Sequence, residues 1–417
     1  MASGQAKRPG RACARAAILA ALAACALAAP AAAGPPQSNT VEAFDLVFRG
    51  WMRRHHVARG VLAVSYANRL ALVKGYGGID PAAPVPLASL AKAITGACLA
   101  TLVRDKKLSF DAKLGDVLGA FFRRHGEPAD PRVRAITIEQ LLAHRSGFSR
   151  HANPDPASGP ALVAHLRTYG SASPHVTEAV KRALAYRLAR APGQTYEYVN
   201  VNYLLLGAAI EEVSGRAYET YCRDALLKPL GVTHGRLGKW AALSAYGGWS
   251  LSGAEYLAFL HAFDRDSRIM DAATRRWLAS PAGKQFAGRG DLAYSLGVVA
   301  RREPGGVSVW HTGLWTHAQK DVRGGALADS HATLAVKSAK GAAWFVYMEP
   351  QLPLAARAEL DAALWRAAEQ VKAWPAQDLF ARYGVGIGKE QKTVPVAAPL
   401  KTGDAGKSDD RPHAARN

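Results

Sequence analysis

The amino-acid sequence predicts an α/β protein in which strands from both ends of the chain flank an inserted, mostly helical region. Two strand-like runs lie near the beginning, in GVLAVSYANRLALVKGYG at 60–77. Helical patterns with connecting loops occupy most of residues 89–290, and strand patterns return from Tyr294 onward. A sheet must bury a face against other elements, so this order favours one α/β unit that carries a helical insertion.

Each element follows from its own pattern. VEAFDLVFRGWMRRHH at 41–56 has apolar residues at helical spacing, which predicts the first helix. The two early strands surround a turn near Ala67 and Asn68. A capping box, SGAE at 252–255, opens a later helix, and an amphipathic pattern at 354–371 predicts the last one. The late strands are predicted in YSLGVVARR, VSVWHTG, HATLAVKS and AAWFVYME.

Residues 1–33 have the pattern of a signal peptide. An apolar run at 16–29 is followed by PAAAGPP, which predicts cleavage after Ala33. The run is too short to cross a bilayer as a helix. The segment therefore predicts export to the periplasm or to the outside of the cell. The basic residues that precede the run are Lys7, Arg8, Arg11 and Arg15.

The cysteines leave two questions open. LAAC at 22–25 has the form of a lipoprotein signal that would leave Cys25 lipidated, but no polar spacer follows, so this interpretation ranks second. Cys98 and Cys222 lie in apolar, helix-like stretches. They are either small buried hydrophobic residues or, after export, a single disulfide. Without clustered histidines they make no zinc site, and we expect neither a metal nor a cofactor.

The chain is strongly basic, with a formal net charge of +20. Removing the signal peptide takes away four basic and no acidic residues, which leaves +16. Such a surface favours anionic partners such as the cell wall or an anionic membrane surface. A nucleic-acid partner is not expected, because no nucleic-acid-binding motif accompanies the charge.

Three segments are predicted along the chain. Residues 1–33 are the signal peptide and residues 34–373 the folded domain. The remainder, 374–417, is rich in Gly, Pro, Lys and Asp without periodicity, and is predicted to be a disordered basic tail.

One lysine stands alone in PLASLAKAIT at 86–95. Between residues 81 and 103, Lys92 is the only lysine, arginine or acidic residue. An apolar site disfavours its charged form, and Ser89 would share its helix face one turn earlier. A neutral amine beside a serine at a helix start can accept the hydroxyl proton and create a nucleophile. The S-x-x-K spacing alone arises by chance in a chain of this length, so the apolar isolation is the informative part.

Further motifs follow in a fixed order, and with the hairpin and S-x-x-K they resemble a known family. Over residues 41–371 the chain resembles the serine hydrolases related to class C β-lactamases and penicillin-binding D-Ala-D-Ala peptidases. The resemblance implies a β-lactamase/transpeptidase-like fold, an antiparallel sheet flanked by helices with an inserted, mostly helical region. The motifs are ITIEQLLAHRSGF (136–148), PGQTYEYVNVNYLLLGAAIEEVSG (192–215), KPLGV (228–232), GGWSLSGAEYLAFL (247–260) and VWHTG (309–313).

The resemblance also implies roles for the first two motifs. Ser89 would be the nucleophile and Lys92 its proton partner. Tyr198, in Y-x-N, would share protons with Ser89 and the leaving group. Asn200 would orient Lys92 and hold the substrate carbonyl. His144, in LLAHRSGF, is expected to be structural.

The third motif would line the substrate site with His311, Thr312 and Gly313. The backbone N–H groups of Ser89 and Leu314 would form the oxyanion hole. β-Lactamases and D-Ala-D-Ala peptidases usually have lysine in place of His311, where it helps to hold the substrate carboxylate. A histidine is mostly neutral at pH 7, which weakens that fixed charge and favours neutral substrates.

These features together predict an exported serine hydrolase that acts on a small-molecule or peptide ester or amide. Two alternatives remain open at this point. One is a β-lactamase or D-Ala-D-Ala carboxypeptidase, and the other is a non-catalytic relative that binds the cell wall.

Overall fold

Strands from the two ends of the chain meet in one antiparallel sheet, as the resemblance implies. The computed structural model describes residues 38–153, 159–280, 284–286, 289–320 and 326–386, so the predicted signal peptide lies outside the described residues. The strands are β1 (Arg59–Tyr66), β2 (Arg69–Tyr76), β3 (Val85–Pro86), β4 (Arg236–Leu237), β5 (Trp249–Leu251), β6 (Gln285–Phe286), β7 (Arg289–Ser295), β8 (Val298–Glu303), β9 (Gly306–Lys320), β10 (Ala326–Lys337) and β11 (Ala342–Glu349). The large sheet has the order β2-β1-β11-β10-β9-β8-β7-β6, and β3, β5 and β4 form a small second sheet.

Helices lie mainly between β2 and β6 in the sequence. They are α1 (Glu42–Arg54), α2 (Ala91–Arg104), α3 (Leu114–Val117), α4 (Gly119–His125), α5 (Ile138–Leu142), α6 (Gly159–Tyr169), α7 (Val176–Leu184), α8 (Asn200–Ser214), α9 (Tyr218–Cys222), α10 (Ser244–Gly247), α11 (Gly253–Phe259), α12 (Ala272–Ala279) and α13 (Leu354–Gln370). The predicted capping box at the start of α11 is present, with both reciprocal hydrogen bonds. None of the helices in the described ranges has both the length and the apolar character that crossing a bilayer requires.

The large sheet separates two hydrophobic cores because successive side chains of a strand point to opposite faces. On β1, Leu62 and Val64 join the core formed with α1 and α13. Val61 and Ala63 face the other core, which contains most of the helical region. Fully burying one such aliphatic side chain contributes ~1.5–3 kcal/mol.

Two tight turns shape the sheet. Ala67 and Asn68 join β1 to β2 with φ of 47° and 61°, the left-handed pair that suits a two-residue hairpin. The stretch YSLGVVARR holds a second hairpin, because Leu296 and Gly297 also have positive φ and reverse the chain between β7 and β8.

Helices α2 and α8 form the centre of the helical region. Every residue of α2 from Ala91 to Leu102 is buried, and so is every residue of α8 from Val201 to Ile210. A helix that is apolar on all sides is a core helix. These two helices carry Lys92 of the S-x-x-K motif and Asn200 of the Y-x-N motif, so both motifs are anchored in the core of the helical region.

The boundary predicted at residue 374 was wrong. The ordered chain continues to residue 386 and contains a 3-10 turn, Phe380–Tyr383. Phe380 and Val385 are each 1% exposed and join the larger core. Two buried apolar residues are enough to anchor this short segment, although its average composition is that of a tail. Residues 387–417 lie outside the described part of the chain.

Candidate active site

Ser89, the predicted nucleophile, lies in a 3-10 turn (Ala88–Leu90) that leads directly into α2. Its side chain is half-buried. The preceding residue, Ala88, has a φ of 48°, in the left-handed region that non-glycine residues rarely adopt. Strain of this kind persists only where the surroundings hold the backbone in place. The contacts of this turn therefore decide how the serine is presented.

Lys92 lies one turn after Ser89 and is fully buried. Its Nζ donates to Ser89 Oγ at 3.1 Å and to the Tyr246 carbonyl at 2.9 Å. The rings of Tyr198, Tyr203 and Tyr246 surround Nζ, with centroids at 5.0, 5.9 and 6.0 Å. Their electron-rich faces attract a cation, whereas burial favours a neutral amine. These opposing influences act on the same atom, and the neutral resting state of Lys92 stays a prediction.

The turn between β7 and β8 rests directly on the backbone of α2. A Cβ on Gly297 would lie 2.1 Å from Lys92 O, and one on Gly96 would lie 2.3 Å from the Leu296 backbone. Any side chain at either glycine would force the turn and the helix apart. The two glycines therefore set how close the Lys92 segment lies to the sheet.

A disulfide joins Cys98 in α2 to Cys222 in α9. This settles the pairing that the sequence left open. Both residues are fully buried, and their Cα atoms lie 5.3 Å apart. The bond links the helix of Lys92 to a segment 124 residues later in the chain, which restricts the unfolded state.

The Y-x-N segment lies directly before and at the start of α8. Tyr198 is half-buried, and its ring is the nearest of the three tyrosine rings to Lys92 Nζ. Asn200 is the first residue of α8 and is half-buried. The structure thus brings Ser89, Lys92 and Tyr198 together. The predicted contact of Asn200 with a substrate carbonyl stays a prediction.

His144 supports this segment from behind. Its ring centroid lies 4.3 Å from that of Tyr198, and Nδ1 accepts from the Val199 backbone at 3.3 Å and from Asn202 Nδ2 at 2.9 Å. Because Nδ1 accepts, the proton of a neutral ring must be on Nε2. Burial, assisted by the positive charge of Lys92, holds the pKa of His144 well below its usual value. The histidine is neutral and holds the Y-x-N backbone.

His311 lies in β9, and both of its ring nitrogens have partners. Nδ1 lies 2.7 Å from the Thr312 carbonyl, which can only accept, so the proton is on Nδ1. Nε2 therefore accepts from the Tyr294 hydroxyl at 2.9 Å. Burial, followed by the charge of Lys92, lowers the pKa of His311 to about 3. The imidazole is neutral at pH 7, and its donor points to the protein's own backbone.

Strand β9 has an open edge beside the nucleophile turn. It pairs with β8 only over residues 306–310, and from His311 onward its only strand partner in the described chain is β10. Thr312 and Leu314 are exposed, whereas Gly313 faces inward against Leu87 and Ala88. Leu314, which is 40% exposed, follows the motif directly. Its role as an oxyanion-hole donor stays a prediction.

Two residues of this site were not found from the sequence. Tyr246 accepts a hydrogen bond from Lys92 through its backbone carbonyl. Every residue has such a carbonyl, so the residue type could not indicate this contact. Tyr294 is fully buried, and burial holds the pKa of its hydroxyl well above the usual value, so it stays a donor to His311. It stands at the start of a predicted strand, where tyrosine is common, so nothing signalled a polar role.

The described residues show no group of three or more His, Cys, Asp or Glu side chains that could hold a metal ion. The chemistry available at the site is that of a serine hydroxyl, an amine and phenols. A serine beside a lysine and a tyrosine can take part in acyl transfer, because each group can donate or accept one proton.

Comparisons with known proteins bear on the family and the fold of this chain. A family model described as Beta-lactamase matches residues 44–322. An octameric penicillin-binding protein homologue from Pyrococcus abyssi has a similar structure, with a TM-score of 0.60 at 19% identity, covering 78% of this chain and 77% of that one. The D-amino acid amidase from Ochrobactrum anthropi SV3 gives a TM-score of 0.58 at 19% identity, covering 78% of this chain and 98% of that one.

A relative found by sequence matches a shorter region. A probable fimbrial assembly protein FimD from Dichelobacter nodosus is 35% identical over 156 residues, which are 35% of this chain and 34% of the relative. The chain thus spans about a third of the length of this curated relative. The fold and the family follow from the longer matches.

Proposed function

The chain belongs to the beta-lactamase family, and we propose that it is a serine hydrolase that cleaves an ester or amide through an acyl-enzyme on Ser89. The observation that carries the proposal is the 3.1 Å contact between Lys92 Nζ and Ser89 Oγ, with the Tyr198 ring 5.0 Å from Nζ. The serine hydroxyl is thus within hydrogen-bond distance of a buried amine that can take its proton, with the Tyr198 ring beside them.

The proposed reaction has two halves. Ser89 Oγ attacks the substrate carbonyl carbon while its proton passes to the Lys92 and Tyr198 pair, and the leaving alcohol or amine takes that proton away. Water then attacks the acyl carbon and gives one proton to the same pair. As the bond from that carbon to Ser89 Oγ breaks and the free acid leaves, the pair passes this proton to Ser89. In both halves the N–H groups of Ser89 and Leu314 would hold the negative charge on the carbonyl oxygen.

His311 favours a neutral substrate. Its pKa of about 3 leaves it uncharged at pH 7, and Tyr294 and Thr312 already occupy its nitrogens. A substrate carboxylate would find no positive charge from this side chain, unlike the lysine of β-lactamases. We therefore place short neutral esters and amides ahead of β-lactams.

The open edge of β9 supports a second candidate, a peptidase such as a D-Ala-D-Ala carboxypeptidase. Within the described chain, residues 311–320 have a strand partner on one side only. An extended peptide can add to such an edge through main-chain hydrogen bonds. This edge begins beside Ser89, so a peptide bound there would bring its carbonyl groups near the hydroxyl.

Export remains part of the proposal. The signal pattern at 1–33 suggests it, and the buried disulfide between Cys98 and Cys222 is of the kind that persists in oxidising compartments. A processed chain with a net charge of +16 would suit the anionic cell wall or membrane surface.

Activity-based labelling tests the proposal. The purified protein is treated with a fluorescent fluorophosphonate and, separately, with a fluorescent penicillin, and the modified residue is mapped by mass spectrometry. We expect the fluorophosphonate on Ser89, no label on Ser89→Ala, and full label on Ser109→Ala, a control at an exposed serine. Turnover of p-nitrophenyl acetate, nitrocefin and a D-Ala-D-Ala peptide then ranks the substrate classes.

The outcomes separate the alternatives. Label on a residue other than Ser89 would overturn the catalytic assignment. If fluorescent penicillin labels the protein and nitrocefin is turned over faster than the ester, the β-lactamase alternative becomes the favoured function. A folded protein that neither takes a label nor turns over any of the three substrates would be a non-catalytic relative.

A further inference from the structure

The carbonyl of Leu87, two residues before Ser89, is the fixed point of the nucleophile turn. Its oxygen accepts the Leu90 N–H of the 3-10 turn at 3.2 Å. It also accepts the hydroxyl of Thr333 at 2.8 Å. The backbone N–H of Leu87 donates to the Trp249 carbonyl at 2.9 Å. Of these contacts, only the one from Thr333 comes from a side chain.

Thr333 reaches Leu87 across the predicted substrate strand. It lies in β10, directly opposite Gly313 in β9, and is 2% exposed. A Cβ on Gly313 would lie 2.2 Å from Thr333 Oγ1 and 2.5 Å from Leu87 O. The hydroxyl therefore occupies the space that a side chain at position 313 would take. The missing side chain at Gly313 thus leaves the space in which the Thr333 hydroxyl reaches the Leu87 carbonyl.

The consequence concerns Ala88, which shares a peptide unit with the Leu87 carbonyl. Its φ of 48° is strained and persists only under restraint. Fixing the Leu87 oxygen fixes the plane of this peptide, and the next residue along is Ser89. If that plane rotated, Ala88 could relax, and Ser89 Oγ would turn away from the Lys92 amine, which lies 3.1 Å from it.

We propose that Thr333 is a positioning residue for the nucleophile: its hydroxyl, passing beside Gly313, locks the Leu87–Ala88 peptide so that Ser89 faces Lys92. This inference rests on the proposed serine-hydrolase function for its kinetic consequence. Its structural consequence, the conformation of Ala88, does not depend on that function.

A set of three variants tests the inference. Thr333→Val removes the hydroxyl and keeps the shape, Thr333→Ser keeps the hydroxyl, and Thr101→Val is the matched control. Thr101 is also fully buried and donates to a backbone carbonyl, that of Cys98 at 2.7 Å, but it lies near the far end of α2. Each variant is assayed for its melting temperature, for its fluorophosphonate labelling rate, and for kcat and KM with p-nitrophenyl acetate.

The expected result is a loss in rate that stability does not explain. Thr333→Val should label and turn over between about 10- and 100-fold more slowly, the cost of a misplaced reacting group, with KM little changed. Thr333→Ser should stay close to the wild type. The melting temperature of Thr101→Val should fall as that of Thr333→Val does, but its labelling rate and kcat should stay at the wild-type level.

Crystal structures of the wild type and Thr333→Val complete the test. We expect Ala88 to leave the left-handed region in the variant. If the wild type is labelled and Thr333→Val is labelled at the same rate, the positioning role is overturned and the proposed function stands. If the wild type is not labelled at all, the proposed function fails, and an Ala88 that keeps its positive φ in Thr333→Val overturns the inference separately.

Discussion

Replacing Gly313 by alanine should slow the acylation of Ser89 while leaving the fold intact. The added Cβ would lie 2.5 Å from Leu87 O, and real Cβ atoms essentially never have a neighbour closer than 3.0 Å. Strand β9 and the nucleophile turn must therefore separate by at least 0.5 Å, the difference between these distances. A misplacement of about 1 Å can cost ~100-fold in rate, or about 2.7 kcal/mol of activation free energy.

The assay is the second-order rate of fluorophosphonate labelling, measured beside the melting temperature. Gly306→Ala is the matched control, because it lies in the same strand and its Cβ would meet nothing nearer than 3.6 Å. Overpacking should cost Gly313→Ala about 1–3 kcal/mol of stability, which the melting temperature reports. A folded Gly313→Ala that labels at the wild-type rate would show that contact between strand β9 and the Leu87 carbonyl does not control the position of Ser89.

Three further predictions follow from the site. Lys92→Arg should lose nearly all turnover, because a guanidinium does not give up its proton in a protein; near-normal kcat in a folded variant would contradict the proton-accepting role. His311→Gln should change the pH dependence of stability only in acid. The unfolded chain protonates His311 near pH ~6.5, whereas the folded pKa is about 3, so unfolded molecules bind more protons between these values. On acidification through this range the wild type should lose stability relative to the variant, by up to ~1.4 kcal/mol per pH unit in urea titrations, and parallel pH profiles would contradict the buried neutral ring. Replacing Cys98 and Cys222 together by alanine should lower the free energy of unfolding by about 2–4 kcal/mol, and an unchanged urea midpoint under oxidising conditions would show that the bond does not form in solution.

Local features of the site could be predicted from the sequence. The spacing of Ser89 and Lys92 places them on one helix face, and the apolar neighbours of Lys92 predicted its burial, which is complete. Both arguments use only residues within a few turns. Tyr198 and His311 are far away in the chain, so no local pattern could bring them to Ser89. They were found through the resemblance alone.

Other features could not be predicted because they depend on long-range packing. The carbonyl of Tyr246 and the hydroxyl of Thr333 reach the site across more than one hundred residues, and neither residue type signals the contact. The tail boundary failed for a different reason. Averaging over the polar residues after 374 hid Phe380 and Val385, which the core buries.

The ordered segment after residue 373 also protects the sheet from unwanted pairing. Strand β2 is the outermost strand at one side of the large sheet, where unpaired backbone groups invite another chain to add itself. Asp378 accepts the Leu70 N–H at 3.0 Å, and the Leu379 N–H donates to the Leu70 carbonyl at 3.0 Å. A recombinant chain that stopped at 373 would uncover these groups together with the apolar surface beneath Phe380. We expect it to gain a site for self-association while Ser89 and Lys92 keep their positions.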